Sequence, residues 1–175
     1  MLFTGPRNLV QYPSPETSPY FLPWPAGITR LCIQGNRGLV SHRGWQEFAY
    51  DFAAPIGSDI CAARGGKVIG LDVTHAGQGR KASNNYLAID HGDGTIGWYL
   101  HLQKDGSWVA LGEHVRRGQS VAAGGNVGRS LLPHIHFHVT GPDSTTIPVT
   151  FADVTRDAGI PRIFRRYTSG NRVRE

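Results

Sequence analysis

Residues 86–102 read YLAIDHGDGTIGWYLHL. Two runs rich in β-branched, aliphatic and aromatic residues, Tyr86–His91 and Thr95–Leu102, flank Gly92-Asp93-Gly94. Three glycine-containing residues between two such runs are a hairpin signal. Working outward from it, runs of the same kind recur at Arg30–Gln34, Asp59–Ala63, Lys67–Val73, Gln119–Ala123 and His134–Thr140. No stretch of about twelve residues between them carries a helical period. Glycine makes up 23 of 175 residues, nearly double the usual ~7%. Gly112, Gly118, Gly124, Gly125 and Gly128 cut the segment after the hairpin into short turns. The expected fold is all-β, a compact antiparallel barrel or sandwich with glycine-rich turns.

A chain of 175 residues is one ordinary domain that buries roughly 70% of its unfolded surface. Charged residues are 18% and hydrophobic ones 39%, a balance that excludes extensive disorder. Residues 1–27 carry six prolines and five aromatics. Repeated proline breaks helices and interior strands, so an extended arm with its aromatics packed on the body is expected. Residues 28–160 form that body. Residues 161–175 are an arginine-rich end, expected to be solvated, with an anionic polymer or membrane as the alternative contact. The net charge is +5, of which Arg162–Glu175 supplies +4 from five arginines and one glutamate. The body is left at +1, with no basic stripe, which argues against nucleic-acid binding. No apolar run approaches the ~20 residues of a membrane helix. The N-terminus lacks the charged region and apolar run of a signal peptide. Cys32 and Cys61 fit no zinc knuckle and no redox motif; two free buried thiols are favoured over a disulfide.

The histidines carry the chemistry. His134, His136 and His138 alternate with Ile135, Phe137 and Val139, and alternate residues of a strand share a face. Three imidazoles on one face, some 6–7 Å apart along the strand, suit a metal site in which one ring binds the ion and a neighbour handles a proton. Zinc needs at least three protein ligands, so further donors must come from elsewhere. His42, in a glycine-flanked loop, is one candidate. Asp51 is another, because a carboxylate between Tyr50 and Phe52 is costly to bury without a cation; a turn or capping aspartate is the other reading. His101, two residues after Tyr99 in the strand and sharing its face, is a third. His75, His91 and His114 stand beside glycines or at strand ends and read as surface or turn residues.

Three blocks resemble the lysostaphin-type zinc metalloendopeptidases that act on peptidoglycan. The first runs from Ser41-His42 to Asp51, then through Phe52–Gly57 and Ala62–Val68. The second is Asn85–Gly94, continuing to Tyr99-Leu100-His101-Leu102. The third is Pro133-His134-Ile135-His136-Phe137. In order they span roughly residues 38–140. The resemblance implies a duplicated-hybrid-motif β fold, with zinc held by His42, Asp51 and His136 and with His101 and His134 as catalytic histidines. Gly112–Val127 also resembles the turn-rich half-repeat of lipoyl-type domains, to which that fold is related. Two departures stand out. Eight residues separate His42 from Asp51, where the simplest pattern has three. His138 occupies a position usually held by glutamate or glutamine, and is taken as an accessory residue or a surplus ligand.

The implied activity is zinc-dependent hydrolysis of peptide bonds in peptidoglycan cross-bridges or stem peptides by a monomer. The implied location is periplasmic or extracellular, with no signal segment in this chain. The alternative is a catalytically inactive member of the fold that binds wall or activates another hydrolase; such a protein should lack some of the five site residues. A carboxypeptidase of the D-Ala-D-Ala type needs a late Glu-x-x-His, absent from residues 100–175. A biotin or lipoyl carrier would need a lysine at a hairpin tip.

Overall fold

The computed structural model describes residues 10–173. Its strands are β1 (Thr29–Gln34), β2 (Tyr50–Ala53), β3 (Asp59–Cys61), β4 (Gly66–Asp72), β5 (Tyr86–Asp90), β6 (Ile96–Leu100), β7 (Leu102–Ser107), β8 (His114–Val115), β9 (Ser120–Gly124), β10 (His134–Thr140) and β11 (Arg166–Thr168). Helical structure among the described residues is limited to short 3-10 turns. Eight strands form one sheet in the order β11-β1-β2-β10-β6-β5-β4-β8, and β3-β9-β7 form a second. All pairings between these strands are antiparallel. The expected all-β fold is what forms.

The hairpin β5–β6 pairs Tyr86 with Leu100 and Asp90 with Ile96, and the His91 N–H closes its turn on the Thr95 carbonyl. Gly92 and Gly94 both have positive φ, a conformation glycine adopts without the Cβ penalty. Strand β10 lies at the middle of the large sheet, between β2 and β6. Its alternation holds: Ile135, Phe137 and Val139 are fully buried in the core with Phe52, Leu87 and Tyr99. Burial of each such side chain contributes about 1.5–3 kcal/mol. This anchors the register that places the intervening histidines on the opposite face.

Four strands lie outside the sequence expectation. Asp51 sits in β2 and not in a turn, because Tyr50 and Phe52 both pack into the core and the segment bridges β1 and β10. The run assigned to Thr95–Leu102 breaks at His101, whose φ is +66°, and a separate strand, β7, follows. Short β8 carries too little pattern to be seen. The fourth, β11, overturns the reading of the C-terminal end as solvated. It pairs with β1, buries Tyr167 between exposed Arg166 and Thr168, and leads to buried Asn171. The Asn171 amide donates to the carbonyls of Leu22 and Ala62.

The N-terminal arm packs by its aromatics from Tyr12, which meets Phe48 edge-on; its first nine residues lie outside the described part. Leu22 and Trp24 are fully buried, and the Trp24 ring meets Phe52 edge-on at 4.9 Å. Cys32 and Cys61 are free and buried. Burial pushes their thiols up to about 12 and about 11.

Two outcomes follow from this packing. An alkylating reagent at neutral pH should label neither cysteine in the native protein and both after unfolding without reductant. Removing residues 170–175 should destabilise the fold, because the Leu22 and Ala62 carbonyls lose their donor. At roughly 2–3 kcal/mol for two buried groups, the melting temperature should fall by about 4–12 °C in a thermal scan.

Candidate metal centre

The centre is assembled on the sheet face opposite the aromatic core. In register, His136 of β10 lies between Asp51 of β2 and Leu100 of β6. Nδ1 of His136 is 2.8 Å from Oδ1 of Asp51. His42, from the loop between β1 and β2, brings Nε2 to 3.2 Å from the other oxygen, Oδ2. The long spacer between His42 and Asp51 is taken up by a 3-10 turn at Gly44–Gln46. One donor atom from each of His42, Asp51 and His136 lies within 4.8 Å of the others, and all three residues are buried.

The donor chemistry fits a cation. Nδ1 of His42 is 2.9 Å from the Gly35 carbonyl, and a carbonyl only accepts, so this nitrogen carries the proton. A neutral His42 then presents the lone pair of Nε2 to the Asp51 carboxylate. Nε2 is buried and makes no hydrogen bond. Two acceptors aimed at each other in a buried site require a positive centre between them.

His134 and His101 complete the cluster. Nδ1 of His134 is 2.7 Å from the Leu132 carbonyl, and its Nε2 is 3.6 Å from Oδ1 of Asp51. His101 Nδ1 lies 2.9 Å from the Val127 carbonyl, and the two rings are 4.6 Å apart. Carbonyl contacts at Nδ1 again leave both Nε2 atoms as acceptors in the neutral rings. Burial pushes His101 down to about 3, with neighbouring His134 and His136 adding to the effect. Burial also lowers His134, against the opposing pull of Asp51. Burial alone would raise the Asp51 carboxyl, but the close imidazoles of His136 and His42 outweigh it and hold it well below the usual carboxylate range.

All six sequence candidates therefore lie in one cluster. One expectation about them changes: His101 does not share a face with Tyr99. Tyr99 is fully buried in the core, whereas His101, with its left-handed backbone, has its own ring on the site against His134. A non-glycine residue there costs about 1–2 kcal/mol, held in place by its N–H bond to the Asn85 carbonyl. His138 is placed next to His136, with Nδ1 3.0 Å from its Nε2. It is absent from the three-residue donor group. His75, His91 and His114 stay outside: His75 pairs with Asp72, His91 contacts the Gly65 carbonyl, and His114 is exposed on β8.

Sequence reading missed Gln34. Its buried amide donates to Oδ2 of Asp51 at 2.9 Å and to Ser41 at 2.8 Å. Its carbonyl accepts the N–H groups of Val40 and Ser41. One side chain thus orients the carboxylate and pins the loop that carries His42. Gly38 makes room for it: a Cβ there would collide with Cγ of Gln34. The only sequence signal is a glutamine at the buried end of a strand. A cavity of roughly 90 Å³ beside the cluster is lined by Ser41, Gln46, Asn84, Leu100, His101, Arg129 and His136.

Residues 46–148 match the model of peptidase family M23. The segment contains Asp51, His101, His134, His136 and His138, and begins four residues after His42. Over 101 residues the chain is 39% identical to the peptidoglycan DD-endopeptidase ShyB of Vibrio cholerae, covering 58% of this chain and 21% of that protein. Over 95 residues it is 32% identical to lysostaphin of Staphylococcus simulans, covering 54% and 18%. The chain spans about a fifth of the length of these curated relatives. Among solved structures, a zinc-containing peptidase from Vibrio cholerae superposes with a TM-score of 0.55 at 31% identity, covering 74% of this chain and 39% of that one.

The Gln34 clamp makes a prediction of its own. Gln34→Leu keeps the volume but strips Val40 and Ser41 of their acceptor and Asp51 of a donor. Stability should fall by about 1–3 kcal/mol in urea unfolding, with the denaturant slope unchanged.

Proposed function

The chain belongs to peptidase family M23, and on that premise we propose that it is a zinc-dependent endopeptidase hydrolysing peptide bonds in bacterial peptidoglycan, in cross-bridges or stem peptides. The observation that carries the proposal is the buried triad of His42, Asp51 and His136, with an unpartnered Nε2 aimed at a carboxylate. Two imidazoles and one carboxylate form a donor set suited to catalytic zinc with one position left for water or substrate. A bound zinc would supply a Lewis acid for the scissile carbonyl and bring the pKa of water toward ~7.

His42, Asp51 and His136 would hold the ion. His101 and His134 lie beside it with neutral rings and lone pairs at Nε2. One of them accepts the proton of the attacking water and passes it to the departing amine. The other stabilises the charge that develops on the tetrahedral oxyanion of the substrate. The catalytic unit is residues 28–160, with Leu22, Trp24 and Tyr167 supplied to its core by the flanking segments. A peptidoglycan substrate places the protein in the periplasm or outside the cell, acting as a monomer.

Digestion of purified muropeptides, followed by mass spectrometry, should yield new amino termini that vanish when a chelator is added. Elemental analysis of the purified protein should find close to one zinc per chain. Finding none, together with no thermal stabilisation on adding zinc, would overturn the proposal. His136→Ala should lose zinc. His134→Ala should keep it while turnover drops by about 10²–10⁴.

A further inference from the structure

Every nitrogen of His136 is engaged. Nδ1 meets Asp51 on one edge of the ring, and Nε2 meets Nδ1 of His138 at 3.0 Å on the other. His138 is itself 3% exposed. Its ring stacks on Trp98 with an interplanar angle of 17° and meets Trp45 edge-on. Trp98 is the register partner of His138 on β6 and is tied by its indole N–H to Thr140. The orientation of His138 is therefore set by packing that does not involve the metal donors.

We propose that His138 is a positioning residue whose Nδ1 accepts a hydrogen bond from Nε2–H of His136, fixing the tautomer in which His136 offers the lone pair of Nδ1 to the ion shared with Asp51 and His42. The inference rests on the metallopeptidase reading above. A neutral imidazole has one N–H and one lone pair. For Nδ1 to be a ligand, the proton must sit on Nε2, and a buried N–H needs an acceptor. His138 supplies one. In the other tautomer, Nδ1–H of His136 donates to Asp51, and a proton occupies the space between two of the three donors. A zinc ion can enter only as that proton leaves. An acceptor at residue 138 biases the equilibrium toward the receptive form, whereas an apolar residue there leaves Nε2–H buried and unpaired. Residue 138 therefore needs an acceptor more than it needs an imidazole.

The test is zinc affinity, measured by competition with a chromogenic chelator on the purified full chain. Outer partners of ligating histidines are typically worth 10–100-fold in metal affinity. His138→Ala should therefore weaken zinc binding by that factor, and His138→Gln should restore it to within about threefold of the original protein. A lost packing contact would not be rescued in this way. Zinc binding by His138→Ala within twofold of the original protein overturns the inference and leaves the metallopeptidase reading intact. So does a Gln variant as weak as the Ala variant while melting at the original temperature. If the original protein binds no zinc, both fall together. Should His138→Ala fail to fold, ¹⁵N spectra of histidine in the zinc-loaded original protein decide the matter. They should show His136 protonated at Nε2; protonation at Nδ1 overturns the inference.

Discussion

A carboxylate in the middle of a sheet is costly to bury unless donors or cations reach it. Asp51 is such a group, 6% exposed on a strand flanked by β1 and β10. Gln34, His42 and His136 all reach its two oxygens, and His134 approaches at 3.6 Å. Much of the architecture on this face serves to keep that charge in place. The β2–β10 register sets His136 opposite it, the β1 end supplies Gln34, and the loop pinned by Gln34 supplies His42. Removing any one of these side chains leaves the carboxylate less compensated, so the stability of the site and its capacity for a cation are linked through a single group.

The sequence made the centre of this arrangement legible because its pattern is periodic. His-x-His-x-His against Ile-x-Phe-x-Val in β10 declares a two-faced strand, and the structure keeps both faces as read. The hairpin at Gly92–Gly94 was legible for the same reason: turn chemistry sits between two strand-like runs. Asp51 was recognisable as a carboxylate in need of a partner, but its strand was not. Four residues with two core aromatics are too short to separate from a turn. The C-terminal end was misread because one buried tyrosine and one buried asparagine carry its docking, and neither produces a repeat. Charge dominated the reading of that segment, while its packing depends on the two residues that are not charged.

Gln34 and the kink at His101 show a second kind of limit. Neither involves an unusual residue type. Gln34 matters because the backbone of Val40 and Ser41, the Ser41 hydroxyl and the Asp51 carboxylate all converge on one amide, a coincidence of three dimensions. His101 matters because a single left-handed residue reverses the side-chain alternation between Tyr99 and the strand that follows. A period-2 reading carried through that residue sends His101 into the core with Tyr99. The break in the strand is what delivers it to the same side as His134.

The site thus joins candidate donors of different mechanical character. Asp51 and His136 belong to adjacent strands, and their separation is fixed by a backbone ladder that the apolar face of β10 anchors. His42 comes from a loop whose position depends on side-chain hydrogen bonds to Gln34 and on the space left at Gly38. Two candidate donors are therefore as rigid as the core, and the third is as secure as one clamped loop. The ladder and the core lie apart from the donor atoms. What an ion adds is a positive centre between Nε2 of His42 and the carboxylate, tying the loop to the sheet at the point where both present acceptors. An ion at this centre would join the loop that carries His42 to the sheet, and the imidazoles of His134 and His101, held by backbone carbonyls at Leu132 and Val127, already lie beside it.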